Sequence, residues 1–370
     1  MDLSSAFDTP DHEILLTRLQ HRFGIVGTAL NWFKSYLTDR SQAVVVNGVT
    51  SDSRRLPYGV PQGSVLGPVL FTLYFAPLED VIKKHGLDCM LYADDTQLYV
   101  SLNPKNRNPG LSSLECCLQD ITCWLSSNKL VCNHGKTEVL HFTSRFRQHL
   151  PISVSLHGNE IPPKPEARDL GVVLDSHLQL TTHVNNVCKS ASLGIRNIGR
   201  IRKYIGKTEA ERLIHAFVSS KLDYCNGILY GLPDYQIKKL QRLQNTAARI
   251  VTRTKFTDHI SPVLQDLHWL PIKQRIIFKL LLITYKALHG HAPAYITALL
   301  QEYKPARSLR SSTQNLLSVP RTYTSNYGDR SFSVAGPALW NSLPDTIRKS
   351  DSVSQFKSTL KTLLFQSAYT

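Results

Sequence analysis

Apolar and polar positions alternate with two different periods along this chain, and the switches between them predict its elements. Thr9-Pro10 reads as an N-cap followed by proline at the first helical position. Ile14, Leu15, Leu19 and Phe23 then form one apolar face, and Gly24 ends it. Leu30, Phe33, Tyr36 and Leu37 predict a second short helix. Ala43-Val44-Val45-Val46 and Val49-Thr50 flank Asn47-Gly48, a hairpin signal because both central residues tolerate positive φ. A loop rich in Gly and Pro (57–68) leads into a helix over 69–83, and a strand around Tyr92-Ala93-Asp94-Asp95 follows. Leu111, Leu114, Leu118, Ile121 and Leu125 predict another helix, and strands recur at 137–142, 152–156 and 170–174. Past about 180 the period becomes helical: Val184, Val187, Ala191, Ile195 and Ile198 form a stripe. Thr208-x-x-Glu211 reads as a capping box, and further helices run from Asp234 and from Ile272 to Leu288. The fold class is α+β up to about residue 180 and all-α beyond it.

Charge sharpens the boundary. The chain has 370 residues, enough for two to three domains, and a net charge of +15. Residues 1–150 are balanced, so all of the excess lies in 151–370. A basic second half points to a polyanionic partner. Seven cysteines form no Cys-x-x-Cys or Cys/His ladder, which argues against a zinc site and for a reducing compartment. The first residues do not read as a signal peptide, and no apolar run is long enough to span a membrane.

The candidate chemistry sits in the strand around residue 94. Asp94 and Asp95 are adjacent carboxylates between Cys89-Met90-Leu91-Tyr92 and Thr96-Gln97-Leu98-Tyr99-Val100. Two like charges in a strand-forming run call for a cation, and a divalent metal is the simplest one. A hairpin turn is the alternative reading of the same pair. Asp2, before a short apolar–polar alternation, is a third carboxylate placed at a strand end. Three carboxylates on two neighbouring strands could hold two magnesium ions, an arrangement that activates a hydroxyl and stabilises a leaving pyrophosphate. The loop Gly59-Val60-Pro61-Gln62-Gly63-Ser64-Val65-Leu66-Gly67-Pro68 lets backbone approach a base or sugar closely.

The order DLSSAFD, GVPQGSVLGP, YADD, NKLVCNHGKTEVL and RDLGVVLD resembles the palm of a reverse transcriptase, and the loop wording most resembles non-LTR (LINE-type, jockey-like) retrotransposon enzymes. The resemblance covers about residues 1–260. It implies a right-hand polymerase palm over 1–180, a basic helical thumb over 181–260 and a C-terminal extension of unassigned role over 261–370. It implies that Asp2, Asp94 and Asp95 bind two Mg2+ ions and that Lys136 assists the leaving pyrophosphate. Phe7, five residues after Asp2, would be the gate that excludes a ribose 2′-OH. Gln62 and Gly63 would touch the incoming nucleotide and template, and Leu170-Gly171-Val172 would grip the primer. Lys189, Arg196, Arg200, Arg202 and Lys203 would track the nucleic acid. The implied partners are an RNA template, a DNA primer and dNTPs, with no membrane, in the nucleus and cytoplasm.

The chain departs from the family pattern at its start. Family enzymes carry a fingers region before the first catalytic aspartate, which here is residue 2. The α-amino group is then expected beside the metal site, where it would perturb it. The expectation is a truncated copy with the fingers missing and little independent polymerase activity. The alternative is a non-catalytic retroelement remnant that still binds nucleic acid.

Overall fold

The computed structural model describes residues 1–103, 105–144, 152–156, 158–304, 315–324 and 327–369. It forms two packing units, one of residues 1–141 and 146–165, the other of residues 142–145 and 166–370.

The helices of the first unit pack their apolar residues into one shared core. Strand β1 (Leu3–Ser4) leads to α1 (His12–His21), which buries Leu15 and Leu19. Its N-cap is Asp11 rather than Thr9: the Asp11 carboxylate accepts from the Glu13 and Ile14 amides, satisfying donors that the helix itself cannot. Helix α2 (Gly27–Leu37) follows. Strands β2 (Ser41–Gln42), β3 (Val45–Val46), β4 (Val49–Thr50) and β5 (Arg54–Arg55) then form an antiparallel ribbon, β3 with β4 and β2 with β5. The Asn47-Gly48 turn is as expected, with φ of 51° and 82°.

The helix expected over 69–83 is two helices, α3 (Gly67–Phe75) and α4 (Leu78–Lys83), because Pro77 cannot supply the amide that a continuous helix needs. Strands β6 (Asp88–Tyr92) and β7 (Asp95–Tyr99) pair antiparallel, and α5 (Asn108–Ser127) buries Cys117, Leu118, Ile121 and Leu125. Short strands close the unit: β8 (Val131–Cys132), β9 (Val139–Leu140), β10 (Val154–Leu156), β11 (Asn159–Ile161) and β12 (Pro163–Lys164). The core gathers Leu15, Leu19, Leu70, Phe71, Phe75, Ile82 and Ile121. Arg18 lies over the rings of Tyr74 and Trp124, and its guanidinium bonds to Tyr74 O and Asn128 Oδ1.

The second unit carries a hairpin of β13 (Glu166–Asp169) and β14 (Val172–Asp175), and its other elements among the described residues are helices. Its helices are α6 (Thr181–Ile201), α7 (Lys207–Ile214), α8 (Ser220–Asp223), α9 (Asp234–Thr252), α10 (Ile260–Asp266) and α11 (Ile272–Leu288). Then come α12 (Ala294–Thr297), α13 (Phe332–Asn341), α14 (Asp345–Arg348) and α15 (Val353–Tyr369). The packing boundary precedes the change of sequence period by about one hairpin, because β14 packs on α6 and Thr182 bonds to Glu166. The expected capping box is not used: Gly206 is the N-cap of α7, with no side-chain cap, and Thr208 lies inside the helix. Between α7 and α8 the chain takes one π-helical stretch, His215–Ser219.

One core joins α6, α9, α10 and the start of α11, and another joins the rest of α11 to α13, α14 and α15. Helix α13, which carries Gly336 and Pro337, belongs to the second. A Cβ on Gly336 would lie 3.0 Å from Thr284 Oγ1, so the glycine lets α13 approach α11 closely.

His183 is 4% exposed, and its Nδ1 accepts from the Val173 amide at 3.4 Å. Burial holds its imidazole below the usual histidine pKa. The unfolded chain therefore takes up a proton here at higher pH than the folded chain. The stability from neutral His183 is complete above about pH 6.5 and declines as pH falls below it toward the folded pKa. Urea denaturation between about pH 7.5 and 5 is expected to show that decline. His183→Gln is expected to flatten part of it.

Candidate active site

Asp2, Asp94 and Asp95 come from two segments that the backbone ties together. The Asp94-Asp95 pair is not mid-strand: Ala93 and Asp94 form the two-residue turn between β6 and β7, and Asp95 pairs with Tyr92. Ala93 has φ of 52°, the sense that a tight hairpin turn demands. The turn reading of the pair is therefore the correct local geometry. That geometry also lifts both carboxylates to the tip of the hairpin, where Asp94 is half-buried and Asp95 exposed.

The chain around Asp2 runs alongside this hairpin. Met1 N donates to Thr96 O at 2.7 Å, and Thr96 N donates to Met1 O at 3.1 Å. On the other side Leu3 pairs with Cys132, and Asn133 N donates to Asp2 O at 2.8 Å. Residues 1–4 thus lie between β7 and β8. Burial holds the Met1 amine below its ordinary pKa, while Cys132, Asp95, Asp2 and Glu138 pull it the other way.

Lys136 reaches the Asp2 carboxylate from the turn after β8. Lys136 N and Thr137 N both donate to Asn133 O, and Lys136 Nζ stands 3.1 Å from Asp2 Oδ2. Asp2 Oδ1 accepts from the Leu3 amide at 2.9 Å. Both Asp2 oxygens are thus engaged. Among the described residues no group of three or more His, Cys, Asp or Glu side chains is placed to hold a metal ion.

The glycine-rich loop is seated on the segment that follows β1. Gly59 N donates to Pro10 O and Val60 N to Phe7 O. Gln62 Nε2 donates to Asp8 Oδ1 at 2.8 Å, and His12 Nε2 is 2.8 Å from Gly59 O. Gly59 has φ of 87°, and a Cβ there would stand 2.9 Å from Asp8 O. Gly63, also at positive φ, meets nothing and stays exposed. Phe7 is half-buried, its ring 4.9 Å from that of Phe71. Asp8 and His12 were not singled out from sequence. The second aspartate of DLSSAFD was a signal for the first, but an isolated histidine on an amphipathic helix gave none.

The remaining predicted residues lie in the helical unit. Leu170 and Gly171 are the two turn residues between β13 and β14, with φ of 42° and 86°, and the Tyr224 hydroxyl donates to Leu170 O at 2.6 Å. Val172 starts β14 and is buried. Lys189, Arg196, Arg200 and Lys203 are exposed, spaced by seven, four and three residues on one face of α6 and its continuation. Arg202 does not belong to that face. Its Nε, NH1 and NH2 donate to the carbonyls of Ile250, Ile205 and Val251, so it caps the carboxyl end of α9 instead of reaching outward.

Residues 1–203 match the family model described as reverse transcriptase (RNA-dependent DNA polymerase). The chain belongs to the reverse transcriptase family. Its relatives are enzymes of non-LTR retrotransposons. It is 26% identical over 289 residues to the "Probable RNA-directed DNA polymerase from transposon BS" of Drosophila melanogaster, covering 75% of this chain and 31% of that protein. It is 27% identical over 267 residues to the X-element polymerase of the same fly, covering 68% and 28%. It is 30% identical over 193 residues to the polymerase of the mobile element jockey, covering 50% and 20%. The chain thus spans less than a third of the length of these relatives. Reverse transcriptases generally use divalent metal ions. Among the described residues of this family member no helix is long and apolar enough to cross a membrane.

Proposed function

We propose that this chain carries the palm and thumb of an RNA-directed DNA polymerase that extends a primer 3′-OH with dNTPs on an RNA template. The observation that carries the reading is the backbone pairing of Met1 with Thr96, which sets Asp2 beside the Asp94–Asp95 hairpin tip, with Lys136 on the Asp2 carboxylate. Residues 1–180 would be the palm, 181–260 the thumb and 261–370 an extension. In this reading Asp2, Asp94 and Asp95 form the negative end of the site and Lys136 its movable cation.

Phe7, whose ring packs on Phe71 and whose carbonyl accepts from the loop's Val60, would be the ring that rejects a 2′-OH. Gln62 and Gly63 form the exposed lip of that loop, open to a base and sugar. The tight turn at Leu170-Gly171 would press on the primer strand. Lys189, Arg196, Arg200 and Lys203 would follow phosphates along the duplex, with affinity falling as salt rises.

The test is template-directed dNTP incorporation. Because the chain covers 31% of the BS relative, it is assayed alone and in place of the matching stretch of that protein. The substituted protein is expected to extend the primer, and the chain alone to extend it little. Asp94→Asn in the substituted protein is expected to reduce incorporation about a hundredfold or more, the loss typical when a charge-stabilising group is removed. Extension that survives Asp94→Asn, or a folded substituted protein with no extension, refutes the reading.

A further inference from the structure

The carboxyl ends of α6 and α9 meet at one end of the helical unit. Arg202 bonds to the last carbonyls of α9, and Arg253 NH2 donates back to Arg202 O at 3.0 Å. Two aromatic side chains stand out at this junction. Tyr204 is 75% exposed and Phe256 is 90% exposed. Neither belongs to the hydrophobic cores of the unit, so folding does not account for them.

A cation lies over one face of each ring. Lys203 Nζ is 4.7 Å from the Tyr204 centroid, and Arg249 Cζ is 5.6 Å from the Phe256 centroid. Arg249 is itself fixed: its guanidinium donates to Lys255 O and, at 2.8 Å, to Asp258 O. The loop bearing Phe256 is therefore folded around a guanidinium, and the ring is presented to solvent. The surroundings are basic. No Asp or Glu occurs between Asp175 and Glu209, and Arg200, Lys207, Arg253 and Lys255 are exposed. Glu209 and Asp258 are the acidic residues nearest in sequence.

We infer that this end of the helical unit is a stacking platform for the unpaired nucleotides of a nucleic-acid strand. Lysine and arginine alone suffice to hold a duplex, whose base faces are closed to a protein. An outward ring with a cation over one face can stack its other face on an unpaired base, while the basic rim holds the phosphates. The inference rests on the nucleic-acid reading given above and adds a preference for single strands at a defined place.

The test measures binding of the full chain to fluorescent probes at low salt: a blunt RNA–DNA hybrid, and the same hybrid with a short single-stranded extension of RNA or of DNA. The extension is expected to tighten binding roughly tenfold, equally for RNA and DNA, because stacking reads the base and not the 2′-OH. The double variant Tyr204→Ala/Phe256→Ala is expected to lose that gain while keeping its affinity for the blunt hybrid. Tyr204→Trp/Phe256→Trp is expected to retain the gain. Circular dichroism shows that the variants are folded. A gain that persists in the double alanine variant, or no gain in the parent with blunt-hybrid binding intact, overturns the platform alone. No binding of any probe overturns the nucleic-acid reading as well. Anionic phosphatidylserine vesicles form a further arm. Aromatic-dependent vesicle binding without a gain on nucleic acid would assign the patch to a membrane surface and overturn the inference.

Discussion

Trp340→Ala is expected to lower the stability of the helical unit by about 3–5 kcal/mol, the usual cost of deleting a large buried aromatic. Trp340 is 1% exposed and packs among Leu270, Leu281, Tyr285, Leu343, Phe356 and Leu360. Its ring centroid lies 5.9 Å from that of Phe356, which is stacked on Tyr285 at 4.2 Å. Tyr285 in turn donates its hydroxyl to Ser350 O at 2.7 Å. Removing the indole empties the centre of this array and leaves Asn315 O without the Nε1 donor that now reaches it at 2.8 Å. Urea denaturation followed by circular dichroism checks the result. Trp340→Phe separates the two contributions: it keeps most of the ring and loses the donor, so its cost should fall nearer about 1–2 kcal/mol. A Trp340→Ala variant as stable as the parent would remove Trp340 from the centre of this core.

Gly59→Ala is expected to cost about 2–3 kcal/mol, combining left-handed backbone strain with a steric clash. The residue has φ of 87°, and the added methyl would stand 2.9 Å from Asp8 O and 3.0 Å from the Asp8 Cα. Those atoms are backbone, so a rotamer change cannot relieve the contact. The loop must move away from Phe7–Pro10, loosening the Gly59–Pro10, Val60–Phe7 and Gln62–Asp8 bonds together. Gly48→Ala is the control. It has the same backbone sense, φ of 82°, with nothing within 4 Å of the new methyl, so it should cost only about 1 kcal/mol. Comparable losses for the two variants would show that strain alone, and no close approach, governs Gly59. Limited proteolysis at Phe7–Pro10 should rise only in Gly59→Ala.

Much of the fold was legible in the residues because much of it is local. The Asn47-Gly48 turn needs two positive φ values, and few dipeptides accept them. The stripes of α5, α6, α9 and α11 follow from a 3.6-residue period that one buried face enforces. The errors were local as well. Thr9 and Thr208 had capping chemistry, but Asp11 and Gly206 hold the cap positions, since a cap is chosen by where the helix face meets its neighbour. Pro77 broke a helix that hydrophobicity alone had joined.

The site divides in the same way. The order of motifs, read from sequence alone, was enough to point to the reverse transcriptase family, because it is carried by residue types at fixed places along the chain, whatever packs around them. Sequence could not decide whether Asp94 and Asp95 sit in a strand or a turn, since apolar runs flank both. Tertiary structure decided it, through the β6–β7 register and the Met1–Thr96 pairing. It also decided the partners of the charged groups. Lys136 rests on Asp2, Gln62 on Asp8, and Arg202 on the end of α9 rather than on the outer face of α6. A charged side chain carries no record in the sequence of which distant carbonyl or carboxylate will meet it. That depends on long-range packing, which brings residues 2 and 136, or 202 and 250, within bonding distance.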